Sequence, residues 1–353
     1  MSEGLHLHGT ARTGALTLEV ALRVAPGETV AVLGPNGAGK SSLLRILGGL
    51  LPLSSGELRL DERVLDAPAS RTFVAPEDRS TGLMFQDLLL FPHLDAADNV
   101  GFGLRAGGRS RAEARAAAGA WLERVGLPGR SGTPVGNLSG GEAQRVALAR
   151  VLAPAPRVVL LDEPLSALDA EVRATLRREL RTHLDQHPGP SVVVTHDPLD
   201  AAVLADRVVV LEGGQVTAEG TLAELVARPR SSWGAELGGT NLLPAEAVGR
   251  ALRLEGGGTL TVADAPGDGA VLVAIRPAAI SLHPGRPEGT PRNVWMAQIA
   301  GVEGFGDRVR VRLDGEVPLV AEVTADGLAA LGASVGSEVW ASVKATEVTA
   351  YPR

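Results

Sequence analysis

The chain has 353 residues, 44% of them apolar, and a formal net charge of −7 spread over both halves, enough for two domains or three with full cores and too acidic for a general nucleic-acid-binding surface. Cysteine is absent, which excludes disulfides, thiolate metal sites and cysteine nucleophiles. No apolar run approaches the roughly 18–20 residues of a membrane-spanning helix, and the opening Met1-Ser2-Glu3-Gly4-Leu5-His6 lacks the basic patch and apolar stretch of a secretory leader, so the expected compartment is the cytoplasm.

From residue 16 to about residue 227, short β-rich runs alternate with helical stretches, the pattern of an α/β domain with a parallel sheet. Residues 29–33 read as an apolar strand entering Gly34-Pro35-Asn36-Gly37-Ala38-Gly39-Lys40-Ser41, which matches the phosphate-loop pattern G-x-x-x-x-G-K-[ST] in full. Its glycines let the backbone curl so that successive amides cradle phosphates. The helix opening near Lys40, with Leu43-Leu44-Arg45-Ile46-Leu47 at its apolar positions, adds the positive end of its dipole. In such a loop Lys40 reaches the β- and γ-phosphates of a nucleoside triphosphate and the Ser41 hydroxyl serves Mg²⁺. Lys40 and Lys344 are the only lysines among 34 basic residues; where arginine is the rule, a lysine marks a position suited to a compact ammonium.

Residues 88–155 change to Ala/Arg/Leu-rich sequence, read as a mostly helical insertion; within 109–125, Ala112, Ala116, Ala120 and Leu122 stand near helical spacing. Residues 158–161 form a consecutively apolar strand that delivers Asp162 and Glu163 to its carboxyl end, where ligands of such sheets bind. Asp162 suits Mg²⁺ through water, and Glu163 suits the polarisation of an attacking water. A helix over 170–187 stops at Pro188-Gly189-Pro190. Residues 191–195 and 207–211 are further strands, and Gly213-Gly214 turns the chain into 215–218.

Past residues 228–232 the texture becomes Gly/Val/Ala-rich with frequent turns, an all-β appendage over 245–353. The implied division is a first domain over 1–235, a linker over 236–244 and a second domain over 245–353. Residues 308–313 alternate strictly and turn at Asp314-Gly315 into a strand over 316–324. Arg308, Arg310 and Arg312 share one face, to attract an anion or to form a solvated outer surface.

Leu138-Ser139-Gly140-Gly141-Glu142-Ala143-Gln144-Arg145 opens a helix with a small, amide-rich turn, a second anion-binding helix start in a chain with one phosphate loop. The octapeptide resembles the signature of the ABC ATPases. Gln86 in Met84-Phe85-Gln86-Asp87, the loop Ser166-Ala167-Leu168-Asp169 and His196 in Val194-Thr195-His196-Asp197 complete that family's order of motifs over residues 30–200. The resemblance implies an α/β P-loop NTPase with a helical subdomain at about 88–155, using ATP and Mg²⁺. It implies nucleotide contacts from Gly34, Pro35, Asn36, Gly37, Ala38, Gly39, Lys40, Ser41, Ser42, Gln86, Ser139, Gly140 and Gly141. Metal contacts fall to Ser41, Gln86 and Asp162, and catalysis to Glu163 and His196. Two copies would pack head to tail, each signature capping the γ-phosphate on the other's loop. His196 would contact the γ-phosphate and position the water at Glu163, while Gln86 relays nucleotide state to the helical insertion, which docks on integral-membrane permease subunits. The family usually places an adenine-stacking aromatic about two dozen residues before the loop; His8-Gly9-Thr10-Ala11-Arg12-Thr13-Gly14 has none, leaving Arg12 or His8.

The β-rich tail resembles the OB-like TOBE domain of importer ATPases. More narrowly, Thr290-Pro291-Arg292-Asn293 and Lys344-Ala345-Thr346 resemble the two ends of the Mop-type molybdate-binding domain, and with Leu90-Phe91-Pro92-His93-Leu94 the whole chain is most similar to molybdate importer ATPases. Arg292, Lys344 and Thr346 are thereby the implied oxyanion residues, although Pro291 removes a donor and Gly327 stands where relatives often carry serine. The resemblance implies a peripheral subunit on the cytoplasmic face of the membrane, served indirectly by an extracellular or periplasmic solute-binding protein. The motor motifs are blind to cargo, so sulfate, ferric iron or polyamine import stays open. So do a non-transport soluble ABC ATPase and an oxyanion sensor or storage module.

Overall fold

A computed structural model describes residues 3–166, 168 and 170–353, with all side chains but those of Ala170, Glu171 and Phe305. Ala167 and Asp169 of the loop singled out above therefore lie outside the described residues. The chain divides into two compact units, Met1–Leu222 and Ala223–Arg353.

The first unit begins with β1 (Leu5–Thr13), β2 (Leu16–Val24), β3 (Thr29–Leu33), α1 (Lys40–Leu47), β4 (Ser55–Leu60), β5 (Arg63–Ala67), β6 (Thr72–Phe73) and β7 (Thr81–Met84). Helices α2 (Ala96–Val100), α3 (Phe102–Ala106), α4 (Arg111–Arg124) and α5 (Gly140–Leu152) follow, then β8 (Val158–Asp162), α6 (Ala170–Asp185), β9 (Ser191–Val194), α7 (Pro198–Leu204), β10 (Arg207–Glu212) and β11 (Gln215–Gly220). One sheet collects the strands in the order β6-β5-β4-β1-β2-β11-β10-β3-β9-β8-β7. Its β10-β3-β9-β8-β7 half is parallel, as the alternation of strands and helices predicts. The antiparallel half built on the β1–β2 hairpin is not visible in that alternation.

Strands β3, β8 and β9 are buried at every residue, because each is covered on both faces. Val158 and Leu160 pack with Leu43, Leu44, Ile46 and Leu47 of α1 on one face. Val159 and Leu161 pack on the other with Leu148 and Leu152 of α5 and Leu176, Leu180 and Leu184 of α6. At about 1.5–3 kcal/mol for each large aliphatic side chain buried, these two layers dominate the unit's stability. Helices α2 to α5 have a core of their own, rich in alanine: Ala96, Ala97, Ala114, Ala118, Leu122, Val146 and Ala149. The buried stripe of α4 is thus Ala114, Ala118 and Leu122, while Ala112, Ala116 and Ala120 face outward. A two-residue offset turns a side chain about 200° round a helix, so Ala112, Ala116 and Ala120 have the right spacing and the wrong phase, while Leu122 is buried.

Helix α8 (Leu222–Ala227) opens at the division and α9 (Ser232–Leu237) follows. The second unit continues with β12 (Asn241–Val248), β13 (Ala251–Leu254), β14 (Thr259–Thr261), β15 (Gly269–Ile275), β16 (Ser281–His283), β17 (Asn293–Phe305) and β18 (Arg308–Gly315). β19 (Leu319–Thr324), α10 (Ala325–Leu331), β20 (Glu338–Val343) and β21 (Val348–Pro352) complete it. Two antiparallel five-stranded sheets, β14-β13-β12-β15-β21 and β16-β20-β17-β18-β19, close on a core that includes Val271, Val273, Ile275, Ile299, Val311, Leu313, Val339 and Val343. This is the OB-like all-β unit expected. Strand β18 extends through the predicted turn, since Asp314 and Gly315 stay in register with Gln298 and Ala297 of β17; the chain reverses instead over 316–318. The Tyr351 hydroxyl donates to the Pro229 carbonyl at 2.6 Å, tying residue 229 to the last strand. Among the described residues no helix is long and apolar enough to cross a membrane.

Candidate nucleotide site

The loop at 34–41 leaves the buried end of β3, between β10 and β9. Gly34, Gly37 and Gly39 have φ of 151°, 79° and 104°, the left-handed region that side-chain-bearing residues avoid. At Gly34 a Cβ would also lie 2.0 Å from the Leu211 carbonyl oxygen, so the loop can run this close to β10 only with glycine. Lys40 is the first residue of α1 and is 8% exposed. Its Nζ donates to the carbonyls of Gly34 at 2.8 Å and Pro35 at 2.9 Å, holding the cation inside the curl. Burial pushes its pKa below the ordinary lysine value, while the carboxylates of Glu163 and Asp162 oppose that fall. Ala38 is buried, Asn36 and Gly37 are exposed, and Ser41 and Ser42 are half-buried on the first turn of α1.

Parallel register brings three further loop starts to the same level. Met84 pairs with Leu161, and Asp162 with Val194, so the chain leaves β7, β8 and β9 side by side and delivers Gln86, Glu163 and His196 together. The Gln86 Nε2 donates to Glu163 Oε2 at 3.2 Å, and His196 Nδ1 lies 3.4 Å from Glu163 Oε1. Glu163 adopts φ 49°, a left-handed conformation that costs a non-glycine residue about 1–2 kcal/mol and aims its carboxylate off the strand axis. Asp162 behind it is 7% exposed. Burial raises its pKa and the Ser41 hydroxyl, which hydrogen-bonds it, works the other way. Its Oδ1 is buried without a hydrogen-bond partner among the described residues, an acceptor held ready beside the serine hydroxyl. No group of three or more His, Cys, Asp and Glu side chains suited to a metal exists among the described residues. A cation here would therefore draw most of its ligands from phosphate and water, the habit of Mg²⁺.

The signature turn lies at the start of α5. Ser139 is its N-cap, with its Oγ accepting from the Glu142 amide at 3.3 Å, and Glu142 Oε2 accepts the Ser139 amide at 2.9 Å. This reciprocal box uses one orphan amide at each end and fixes the turn. Ser139, Gly140, Gly141, Glu142 and Arg145 line an open cavity of about 490 Å³ together with Gly126, Leu127, Leu168 and Val172. None of these belongs to the loop at 34–41, so within one chain the two anion-binding turns face separate spaces.

Sequence reasoning gave no role to the side chains that hold these loops. Gln144, 1% exposed on α5, donates its Nε2 to the Pro164 carbonyl, directly after Glu163. Arg150 donates to the carbonyls of Leu88 at 2.5 Å and Leu89 at 2.7 Å, beyond Gln86, where both leucines have positive φ. Arg173 on α6 binds the carbonyls of Ser166 and Leu168. The one signal available was a polar residue at a core-facing helical position, and Gln144 alone among these is fully buried. His8 and Arg12 are exposed on β1; the side chains that a Cβ at Gly39 would meet are Leu16 and Leu18.

In the second unit, Lys344 lines a cavity of about 410 Å³ with Arg276, Ser281, Pro291, Ser342 and Glu347. Thr346 lines a neighbouring one of about 690 Å³ that shares Arg276 and Glu347, and Arg292 is exposed and lines neither. Arg276 and Ser342 thus line the same cavity as Lys344, while Arg292 precedes Asn293, the residue that pairs with Val343 beside Lys344. Arg308 and Arg310 approach Glu322 at 2.7 and 4.0 Å, and Arg312 approaches Glu303 at 3.4 Å, so this row of arginines is matched by acids.

Comparison with known proteins gives consistent matches. The family described as ABC transporter matches residues 18–166 and the TOBE domain matches residues 289–350. The chain is 43% identical to the molybdenum import ATP-binding protein ModC of Mycobacterium tuberculosis, covering 95% of this chain and 94% of that one. It is 41% identical to the Fe(3+) ions import ATP-binding protein FbpC of Streptomyces coelicolor, with 95% and 94% covered. It is 39% identical to the sulfate/thiosulfate import ATP-binding protein CysA 2 of Chromobacterium violaceum, with 100% and 96% covered. Among solved structures, a dimeric ATP-binding cassette in a post-hydrolysis state bound to ADP and Pi superposes with a TM-score of 0.54 at 31% identity, covering 62% of this chain and 98% of that one.

Proposed function

The chain belongs to the ATP-binding subunits of ABC transporters, and from that premise we propose that it is the ATP-hydrolysing subunit of an importer for molybdate or a similar oxyanion. The observation that carries the motor assignment is the convergence of Gln86, Glu163 and His196 on the loop of Lys40. Hydrolysis of ATP needs an oriented water and stabilised phosphoryl charge more than covalent help. Glu163, within reach of both Gln86 and His196, orients that water and takes its proton at the carboxylate. Lys40 and the loop amides balance the charge on the phosphates. Mg²⁺ fits the Ser41 hydroxyl and the unpartnered Asp162 Oδ1; when bound it neutralises phosphate oxygens. Because the signature cavity excludes the chain's own phosphate loop, a second copy supplies the nucleotide that Ser139, Gly140 and Gly141 cap. The helical subdomain docks on permease subunits, and the protein sits on the cytoplasmic face of the membrane. Glu163→Gln keeps ATP binding, lowers kcat by about 10³-fold and traps a dimer; normal turnover in a steady-state ATPase assay would remove Glu163 from this role.

Molybdate is favoured by similarity over nearly the whole chain to a molybdenum importer subunit; the cavity that Lys344 shares with Arg276 offers two cations to an oxyanion, set against the carboxylate of Glu347. Equilibrium dialysis of the purified chain against molybdate, tungstate, sulfate and ferric citrate, read by elemental analysis, tests the cargo. Selective retention of molybdate or tungstate supports the reading, and retention of sulfate or iron instead moves the chain to the cargo of its other relatives.

A further inference from the structure

Two loops must keep step for Glu163 and His196 to act together, and one side chain touches both. Glu163 starts a tight turn: its amide donates to the Val194 carbonyl at 2.9 Å, and its own carbonyl accepts from the Ser166 amide at 3.2 Å and the Ser166 hydroxyl at 3.0 Å. A left-handed glutamate persists only where its surroundings over-determine it. Arg173, one turn into α6, closes that turn from outside, with one guanidinium nitrogen donating to the carbonyls of Ser166 at 3.3 Å and Leu168 at 3.5 Å. Its other terminal nitrogen donates to Asp197 Oδ2 at 3.1 Å. Asp197 follows His196 directly; its Oδ1 accepts the Leu199 amide at 2.8 Å to cap α7, and its own amide donates to the Thr195 hydroxyl at 3.1 Å. The residues on both sides of His196 are therefore anchored, and the anchor leads back to Arg173.

We propose that Arg173 is a positioning residue that locks the turn of Glu163 to the loop of His196, so that the two catalytic groups move as one unit. The inference rests on the roles given above to Glu163 and His196. A planar guanidinium is needed, because two carbonyls and a carboxylate lie on different sides of the same side chain and an ammonium cannot span them. The helices do not depend on this tie. Arg177, 9% exposed, binds Asp200 Oδ1 through Nε at 2.6 Å and Asp200 is 4% exposed, and Arg181 binds the Leu204 carbonyl and Asp206. Those contacts keep α6 against α7 when Arg173 is removed.

The test uses the full chain and its Arg173→Ala, Arg173→Lys, Asp197→Asn and Arg173→Ala/Asp197→Asn variants. Arg173→Ala is expected to lower kcat by about tenfold to a hundredfold, the scale of a small misplacement of catalytic groups, with KM for ATP within about twofold. Arg173→Lys recovers less than half of the loss. The double variant loses no more than the worse single variant, because both remove the same tie. In hydrogen exchange without nucleotide, the amides of Glu163, Ser166 and Asp197 speed up together by about tenfold while those of α1 hold. An unchanged kcat, a raised KM with kcat intact, additive losses or faster exchange throughout the sheet would overturn the proposal. A wild-type chain whose hydrolysis is indifferent to Glu163 would sink the assigned roles alone; the exchange arm would still decide the tie.

Discussion

Loop ends in the first unit and sheet surfaces in the second use arginine differently. At the loop ends of the first unit guanidiniums bind backbone: Arg79 donates to the carbonyls of Ile46 and Leu47 at the end of α1, Arg150 to those of Leu88 and Leu89, and Arg173 to those of Ser166 and Leu168. On the sheets of the second they bind acids, as in Arg308 with Glu322, Arg312 with Glu303 and Arg353 with Glu255. Backbone strain follows the same division. Every described non-glycine residue with positive φ, namely Asp61, Arg71, Ser80, Leu88, Leu89, Ala155 and Glu163, lies in the first unit. A left-handed residue costs about 1–2 kcal/mol, and a hydrogen bond to a charged donor returns about 1.5–3 kcal/mol. One guanidinium on two carbonyls is therefore enough to hold a shape that the chain would not choose. A strand needs no such help, since its ladder fixes the backbone and a surface pair adds about 0–1 kcal/mol.

The contrast predicts that single atoms at the loops of the first unit matter far more than whole side chains on the sheets of the second. Ser139→Arg should have the largest effect. It fills the amide-rich turn with a long cation and breaks the capping box, and it should lower ATP turnover by about 10³-fold while the variant still binds ATP at its own loop. Turnover within a few-fold of wild type would contradict the capping of one copy's nucleotide by the other's turn. Asp162→Asn comes next. It should lower Mg²⁺-dependent turnover about 100-fold and yet stabilise the nucleotide-free chain. The sign follows from burial: a carboxylate whose folded pKa is raised favours the folded state below its unfolded pKa and loses that contribution as pH rises through the folded value. At neutral pH the ionised Asp162 is a net cost that asparagine removes. Thermal melts at pH 7.5 and at pH 4 check it, with the variant's advantage expected at the higher pH and shrinking at the lower.

How much of this was legible follows the same physics. The parallel strands could be read because burial on both faces makes them consecutively apolar, as in Val158–Asp162 and Ser191–Val194. The phosphate loop could be read because glycine is obligatory at Gly34, Gly37 and Gly39. The antiparallel half was not, since β4 and β5 are short and carry no clean alternation, and the alternation of exposed and buried residues along β2 marks a strand without marking its partner. The phase of α4 was missed because alanine fills both its faces, so spacing alone could not say which stripe was buried. Arg150 and Arg173 were missed for a more general reason. Their partners are carbonyls, which every residue carries, and no residue type in the sequence marks a carbonyl as taken. Arg292 and Lys344 flank the paired Asn293 and Val343, and both are exposed, with Asn293 itself buried and bound to Thr261.

The smallest expected effect tests the second half of the comparison. Arg312 approaches Glu303 at 3.4 Å, and the two side chains are 61% and 71% exposed, so water screens the attraction and ordering both side chains costs entropy. Arg312→Ala should therefore change unfolding free energy by no more than about 0.5 kcal/mol and leave ATP turnover unchanged. The pair should also respond to salt, since exposed charges are screened over about 8–10 Å at physiological ionic strength, and the difference between variant and wild type should vanish in 1 M NaCl. Urea titrations at low and high salt measure both. A loss of 2 kcal/mol or more, or one that persists in salt, would mean that this arginine holds backbone as Arg150 and Arg173 do, and the division between the two units would not stand.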